Sequence, residues 1–223
     1  MPSVRTIRPT ALLMLAALPL LTLACESTPT PVLQERADRD FEYKRFDAAA
    51  TTYAEIVKRE PHKSEVLYQY GVSLLKTDNP SQAEGALRTA LALDPRNDAI
   101  VAALAESLDM QGEYAKLFAL LRDRANDNRS VESWMLVVDY AQKLNDHDSA
   151  LEAITNACAL DSGNDVRPYY RAAVILGGIG RTEDAVRRLR QAYGIDPSNQ
   201  DVTLLLVEYG EIPGPTLGLS PGA

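Results

Sequence analysis

The chain has 223 residues, with 23 Lys plus Arg against 31 Asp plus Glu and a formal net charge of −8. Without residues 1–24, which carry Arg5 and Arg8 and no acid, the balance is 21 minus 31, or −10. A chain this acidic excludes nucleic-acid binding and electrostatic docking on anionic lipid, both of which depend on clustered Lys and Arg.

Taken from the N-terminus, Arg5 and Arg8 precede a 14-residue apolar run, Ala11 to Ala24, interrupted by Pro19 and followed by Cys25. This is the layout of a secretory signal peptide, and the run is too short to cross a bilayer core of about 30 Å as a helix. Leu21-Thr22-Leu23-Ala24-Cys25 resembles a bacterial lipobox, with Thr22 where leucine is commonest. That resemblance implies cleavage after residue 24 and lipidation of Cys25. Residues 25–31 are polar and proline-rich, which reads as an extended tether.

Periodicity then predicts helices near 32–44, 47–59, 64–77, 80–93, 98–111, 114–126, 131–144, 147–160, 166–179 and 182–195, with a capping helix over about 200–209. Gly112 and Gly180 fall in turns, Asn79 stands as N-cap before the first-turn Pro80, and Pro95 and Pro197 stop the helices that precede them. The last stretch, 211–223, is rich in Gly and Pro and reads as a disordered tail. The organisation expected is therefore a signal peptide over 1–24, a tether over 25–31, one helical domain over 32–210 and the tail.

The helices share a register. Small or aliphatic residues stand 12 apart at Ala37 and Ala49, Gly71 and Ala83, Ala105 and Leu117, Val138 and Ala150, and Ala173 and Ala185, the first members being separated by 34, 34, 33 and 35 residues. Seven positions after each second member come Ile56, Ala90, Arg124, Ala157 and Ala192, and five later Pro61, Pro95, Arg129, Ser162 and Pro197. A fixed period of this length marks stacked units, each too small to bury its own apolar face. The pattern resembles the tetratricopeptide repeat, best in the second and fifth copies. The resemblance implies an all-α, right-handed superhelical solenoid of about five helix pairs plus a cap. The third copy departs most, through Leu117, Arg124 and Arg129, so its second helix is expected to pack wider.

Chemistry-bearing patterns are weak. The two histidines, His62 and His147, fall in predicted turns without metal-ligand partners. Gly177-Gly178-Ile179-Gly180 has neither the preceding strand nor the following lysine of a phosphate loop. Cys158, beside Ala157, reads as a small buried thiol. No catalytic residue, metal or cofactor is expected.

A binding surface is expected instead. The resemblance implies that the first helix of each pair lines a concave groove, which places Phe41, Tyr68, Val72, Leu75, Glu106, Asp109, Met135, Asp139 and Tyr170 there. This reads as apolar patches with an acidic floor, suited to a helix or extended peptide of a protein partner and hostile to a carboxylate ligand. The function implied is a non-catalytic adaptor held to the membrane by the Cys25 lipid and facing the periplasm, with Glu26 favouring the outer membrane. It would assist assembly of a type IV or Flp-type pilus or a secretion system. Regulation of peptidoglycan-active enzymes or outer-membrane protein assembly is the alternative.

Overall fold

A computed structural model describes residues 28–221. The expected signal peptide and Cys25 lie outside the described residues. Among the described residues eleven helices follow in order: α1 Thr30–Glu42, α2 Phe46–Arg59, α3 Ser64–Lys76, α4 Pro80–Leu93, α5 Asp98–Met110, α6 Tyr114–Asn128, α7 Val131–Lys143, α8 His147–Asp161, α9 Val166–Gly178, α10 Thr182–Ile195 and α11 Gln200–Glu208. Among the described residues there are no strands. Each expected helix is present, its ends within two residues of the expected ones. Pro31 falls inside the first turn of α1, where its missing N–H is no loss, so helix begins before the expected end of the tether.

The register is the packing scheme. Ala37, Ala49, Ala83, Ala105, Leu117, Val138, Ala173 and Ala185 are all 0% exposed, as are Ile56, Ala90, Ala157 and Ala192. Small residues at these crossings let the paired helices approach until flanking large side chains interdigitate. Gly71 shows the limit: a Cβ there would lie 2.6 Å from Cγ of Leu87. Most of the core is one continuous cluster running from α2 to α11, with a smaller one of Leu33, Ala37, Ala49, Tyr53, Ile56 and Val66 at the N-terminal end.

Each within-repeat turn passes through one left-handed residue, at Lys44, Asp78, Gly112, Asn145 and Gly180. Only two are glycine, so turn chemistry alone exposes two of five equivalent positions. Asn97, Ser130, Asp146, Asp165 and Asn199 cap the helices that follow them by accepting from backbone N–H groups. Asn79 does not. Its side chain donates instead to the carbonyl of Thr77 at 2.8 Å, leaving the cap of α4 without the expected bond.

The third repeat is the loosest: α5 and α6 make the sparsest contact of the five helix pairs. Where other repeats have an aliphatic residue, Arg124 extends across to the turn before α5. Its guanidinium donates to Asp98 Oδ1 at 2.6 and 2.8 Å, to the Pro95 carbonyl at 2.9 Å and to the Arg96 carbonyl at 2.7 Å. Polar bridging thus replaces a close crossing, as the wider packing expected for this repeat requires. Stacked units are held by their neighbours, so a loose unit divides the array. Native-state hydrogen exchange should show amides of α6 opening faster than those of α4, and equal protection of the two would refute this partition.

The C-terminal segment departs from the sequence reading. Instead of a disordered tail, residues 214–221 lie against α10. The Leu219 amide donates to the Arg190 carbonyl at 2.9 Å, Arg190 Nε to the Leu217 carbonyl at 2.9 Å, and Gln191 Nε2 to the Pro221 carbonyl at 2.9 Å. Gly194 and Gly218 permit this approach, since a Cβ on Gly218 would stand 2.9 Å from the Gly194 Cα. The composition that signals disorder here permits backbone apposition.

Candidate functional site: a concave cleft at repeats three to five

A cleft of about 620 Å³ opens between α5, α6, α7 and α9, beside the helix pair in sparsest contact. Its apolar lining is Val101 and Ala102 from α5, Leu121 from α6, Met135 and Leu136 from α7, and Tyr170 from α9. Its charged lining is Asp98, Arg124, Glu132, Asp139, Arg167 and Arg171. Helical spacing explains the split. Met135 and Asp139 are four apart on one face of α7, as Arg167 and Arg171 are on α9, so charge flanks an apolar strip.

The charges are paired across repeats. Arg171 donates to Asp139 at 2.7 Å and also reaches Gln142, while Arg167 donates to Glu132 at 3.2 Å. Farther along the first helices, Lys76 donates to Glu106 at 3.2 Å and Lys143 to Asp109. The Asp109 carboxylate, by hydrogen bond and charge, holds the Lys143 ammonium above the usual lysine range. Asp165 first, then Glu132, likewise raise the Arg167 guanidinium. Exposed pairs of this kind add little stability. Their consequence is electrostatic, because Glu106, Asp109, Glu132 and Asp139 each have a cation one repeat away.

The expected groove residues therefore separate into groups. Met135, Asp139 and Tyr170 meet in the cleft. Glu106 and Asp109 lie outside its lining, and the acidic floor expected in the middle of the groove is neutralised by Lys76 and Lys143. Leu75 is a correction: it is 4% exposed and belongs to the core, because its face of α3 meets neighbouring helices. Tyr68 and Val72 are half-buried and packed against that core, and Phe41 stands at the other end of the array, its ring edge-on to Phe46 at 5.4 Å. Sequence reasoning missed Leu121, Arg124, Leu136 and Arg171 as cleft residues. Arg124 alone carried a signal, as an arginine at a position that packs small in most repeats.

Other candidates stay structural. Cys158 is buried at the α8 crossing, and burial pushes its thiol up to about 11, away from reactive thiolate. Among the described residues, no group of three His, Cys, Asp or Glu side chains could hold a metal ion. None of the described helices is long and apolar enough to cross a membrane.

Residues 40–108 match the family model for the tetratricopeptide repeat. The chain folds as a tetratricopeptide-repeat solenoid. The match spans the regular second repeat and stops before α6, where Leu117, Arg124 and Arg129 replace the motif residues. No curated protein matches the chain. Among solved structures, a crystal structure of MamA protein is similar at 19% identity, with 83% of this chain and 98% of that chain covered and a TM-score of 0.58. MamA 41-end from Desulfovibrio magneticus RS-1 is similar at 14% identity, covering 77% and 97% respectively, with a TM-score of 0.56. At these identities the likeness is one of fold.

Proposed function

We propose that the solenoid is a non-catalytic adaptor that holds a helix or extended peptide of a partner protein in the cleft of repeats three to five. The observation that carries this reading is the cleft itself: an apolar strip containing Met135, Leu136 and Tyr170, bordered by charges that already have partners. Such a strip offers apolar anchoring, and its satisfied rim sets orientation with little net field. Peptides selected from a random library against the full-length chain should protect amides of α5, α7 and α9 from exchange. Protection confined to the outer helices would place binding elsewhere.

The adaptor reading extends to the envelope. The signal-peptide layout and Leu23-Ala24-Cys25 support lipid attachment at Cys25, with the protein facing the periplasm, and Glu26 supports the outer membrane. Assembly of a type IV or Flp-type pilus or a secretion system is the role we propose there, on the resemblance to short repeat lipoproteins. Cys25→Ser should abolish fatty-acid labelling and leave the precursor unprocessed. A mature chain that begins elsewhere and carries no lipid would remove the anchor.

A further inference from the structure

The repeat register runs on into α11, but the second helix that should follow is absent. Val207 stands 34 residues after Ala173, at the register position of Ala37, Gly71, Ala105, Val138 and Ala173. Those five are buried, in repeats whose first helix packs against its own second helix. Val207 is 56% exposed, and Leu204, three residues before it on the same side of α11, is 68% exposed. The opposite side is anchored, with Val202 and Leu206 fully buried. After α11 the chain turns away through Gly210, a left-handed residue whose N–H donates to the Val207 carbonyl. Residues 209–221 contain no helix, and the last of them run back along α10, leaving the Leu204 and Val207 strip bare. Terminal units of stacked arrays ordinarily show water a polar outer face, whereas this one shows aliphatic side chains.

Charge indicates what covers the strip. Residues 191–223 contain four acids, Asp196, Asp201, Glu208 and Glu211, and no Lys or Arg. Asp201 and Glu208 are exposed and flank Leu204 at helical spacings of three and four. Among the described residues neither of them, nor Glu211, pairs with a Lys or Arg. The arginines nearest in the chain are engaged elsewhere, Arg188 donating to Gln191 and Arg190 to the Leu217 carbonyl. A second copy of the chain would bring the same acids against the strip, and facing like charges disfavour that pairing. The second helices already present show the apolar shape that fits beside a first helix. Each of the two regular ones buries a small residue, a leucine four later and a small residue seven later: Ala83, Leu87 and Ala90 in α4, and Ala185, Leu189 and Ala192 in α10, all 0% exposed.

We propose that α11 docks an amphipathic helix of a partner protein, with small residues seven apart on its apolar side and Lys or Arg beside them, and that this helix completes a sixth repeat. The apolar side covers Leu204 and Val207, and the basic residues meet Asp201, Glu208 and Glu211. This surface lies at the C-terminal end of the array, outside the cleft lining, and goes beyond the adaptor reading of that cleft.

The probe is a fluorescent, stapled helical peptide of the length of α10, with Ala, Leu and Ala at the spacing of Ala185, Leu189 and Ala192 and with Lys and Gln elsewhere. Titrated with the full-length chain in zwitterionic nanodiscs at low salt, it should bind with a dissociation constant of about 10 μM and protect amides of α11 from exchange. Replacing its lysines by glutamate should weaken binding about tenfold or more, as should Leu204→Gln together with Val207→Gln. Asp201→Asn with Glu208→Gln should weaken it about threefold and flatten its salt dependence. All four side chains are exposed, so circular dichroism should show unchanged helicity. Protection centred on α5, α7 and α9, equal binding of the glutamate peptide, or undiminished binding to the Leu204 and Val207 variant would each overturn the proposal. Protection of α11 that grows with protein concentration in the absence of peptide would assign the strip to a second copy and overturn it too. Failure here leaves the cleft standing, since its test reads other helices.

Discussion

A chain carrying Met135→Ala and Tyr170→Ala is expected to bind its peptide about a thousandfold more weakly than the parent while keeping its helicity. The two side chains stand on the apolar strip of the cleft from α7 and α9, both partly buried and packed against the core, so a ligand that covers them removes their last contact with water. Large anchors in desolvated pockets commonly contribute about 2 kcal/mol or more each, and two acting independently give about three orders of magnitude. Tyr68→Ala should cost much less, since Tyr68 packs against the same core outside the cleft lining. Calorimetric titration of a library-selected peptide against the three proteins at one ionic strength measures this directly, with circular dichroism as the check on folding. Equal affinity for the parent and the double variant, both folded, would place binding outside the cleft.

The second large effect concerns stability. Leu87→Ala should destabilise the array by about 2–5 kcal/mol, because Leu87 is fully buried and its loss leaves a void beside Gly71. Gly71→Ala by itself should behave differently. The new methyl would sit 2.6 Å from Leu87 Cγ, and overpacking of about 1–3 kcal/mol is offset by about 1 kcal/mol of helix propensity. In the double variant the added methyl enters space that Leu87 vacates. The pair should therefore be less destabilised than the sum of the single variants, by about 0.5–3 kcal/mol. Urea unfolding of the four proteins closes the cycle. Strict additivity would mean that the α3 and α4 crossing relaxes without regard to this contact.

Helix limits, the stacking register and the weak third repeat were legible in the sequence because each depends on contacts that the period itself specifies. The residues at positions 37, 71, 105, 138 and 173 and those 12 later are buried in every copy, so sequence spacing and burial carry the same information. The candidate site was half legible for a related reason. Met135, Asp139 and Tyr170 follow from the first-helix face, whereas Arg124 and Leu121 line the cleft from α6, the second helix of the pair in sparsest contact.

What the sequence by itself determined is the solenoid: the eleven helices of the described residues and the buried positions at which they cross. Only the tertiary structure decided where charge is left over. Glu106 and Asp109 look as free in the sequence as Asp38 and Glu65, but long side chains of Lys76 and Lys143 reach across repeats to the first two, and among the described residues no Lys or Arg pairs with the others. The tail was decided the same way, when Gly194 met Gly218. Backbone spacing repeats with the period. The reach of a lysine, or the gap left by an absent Cβ, depends on what stands opposite, and that is known only once the chain has folded.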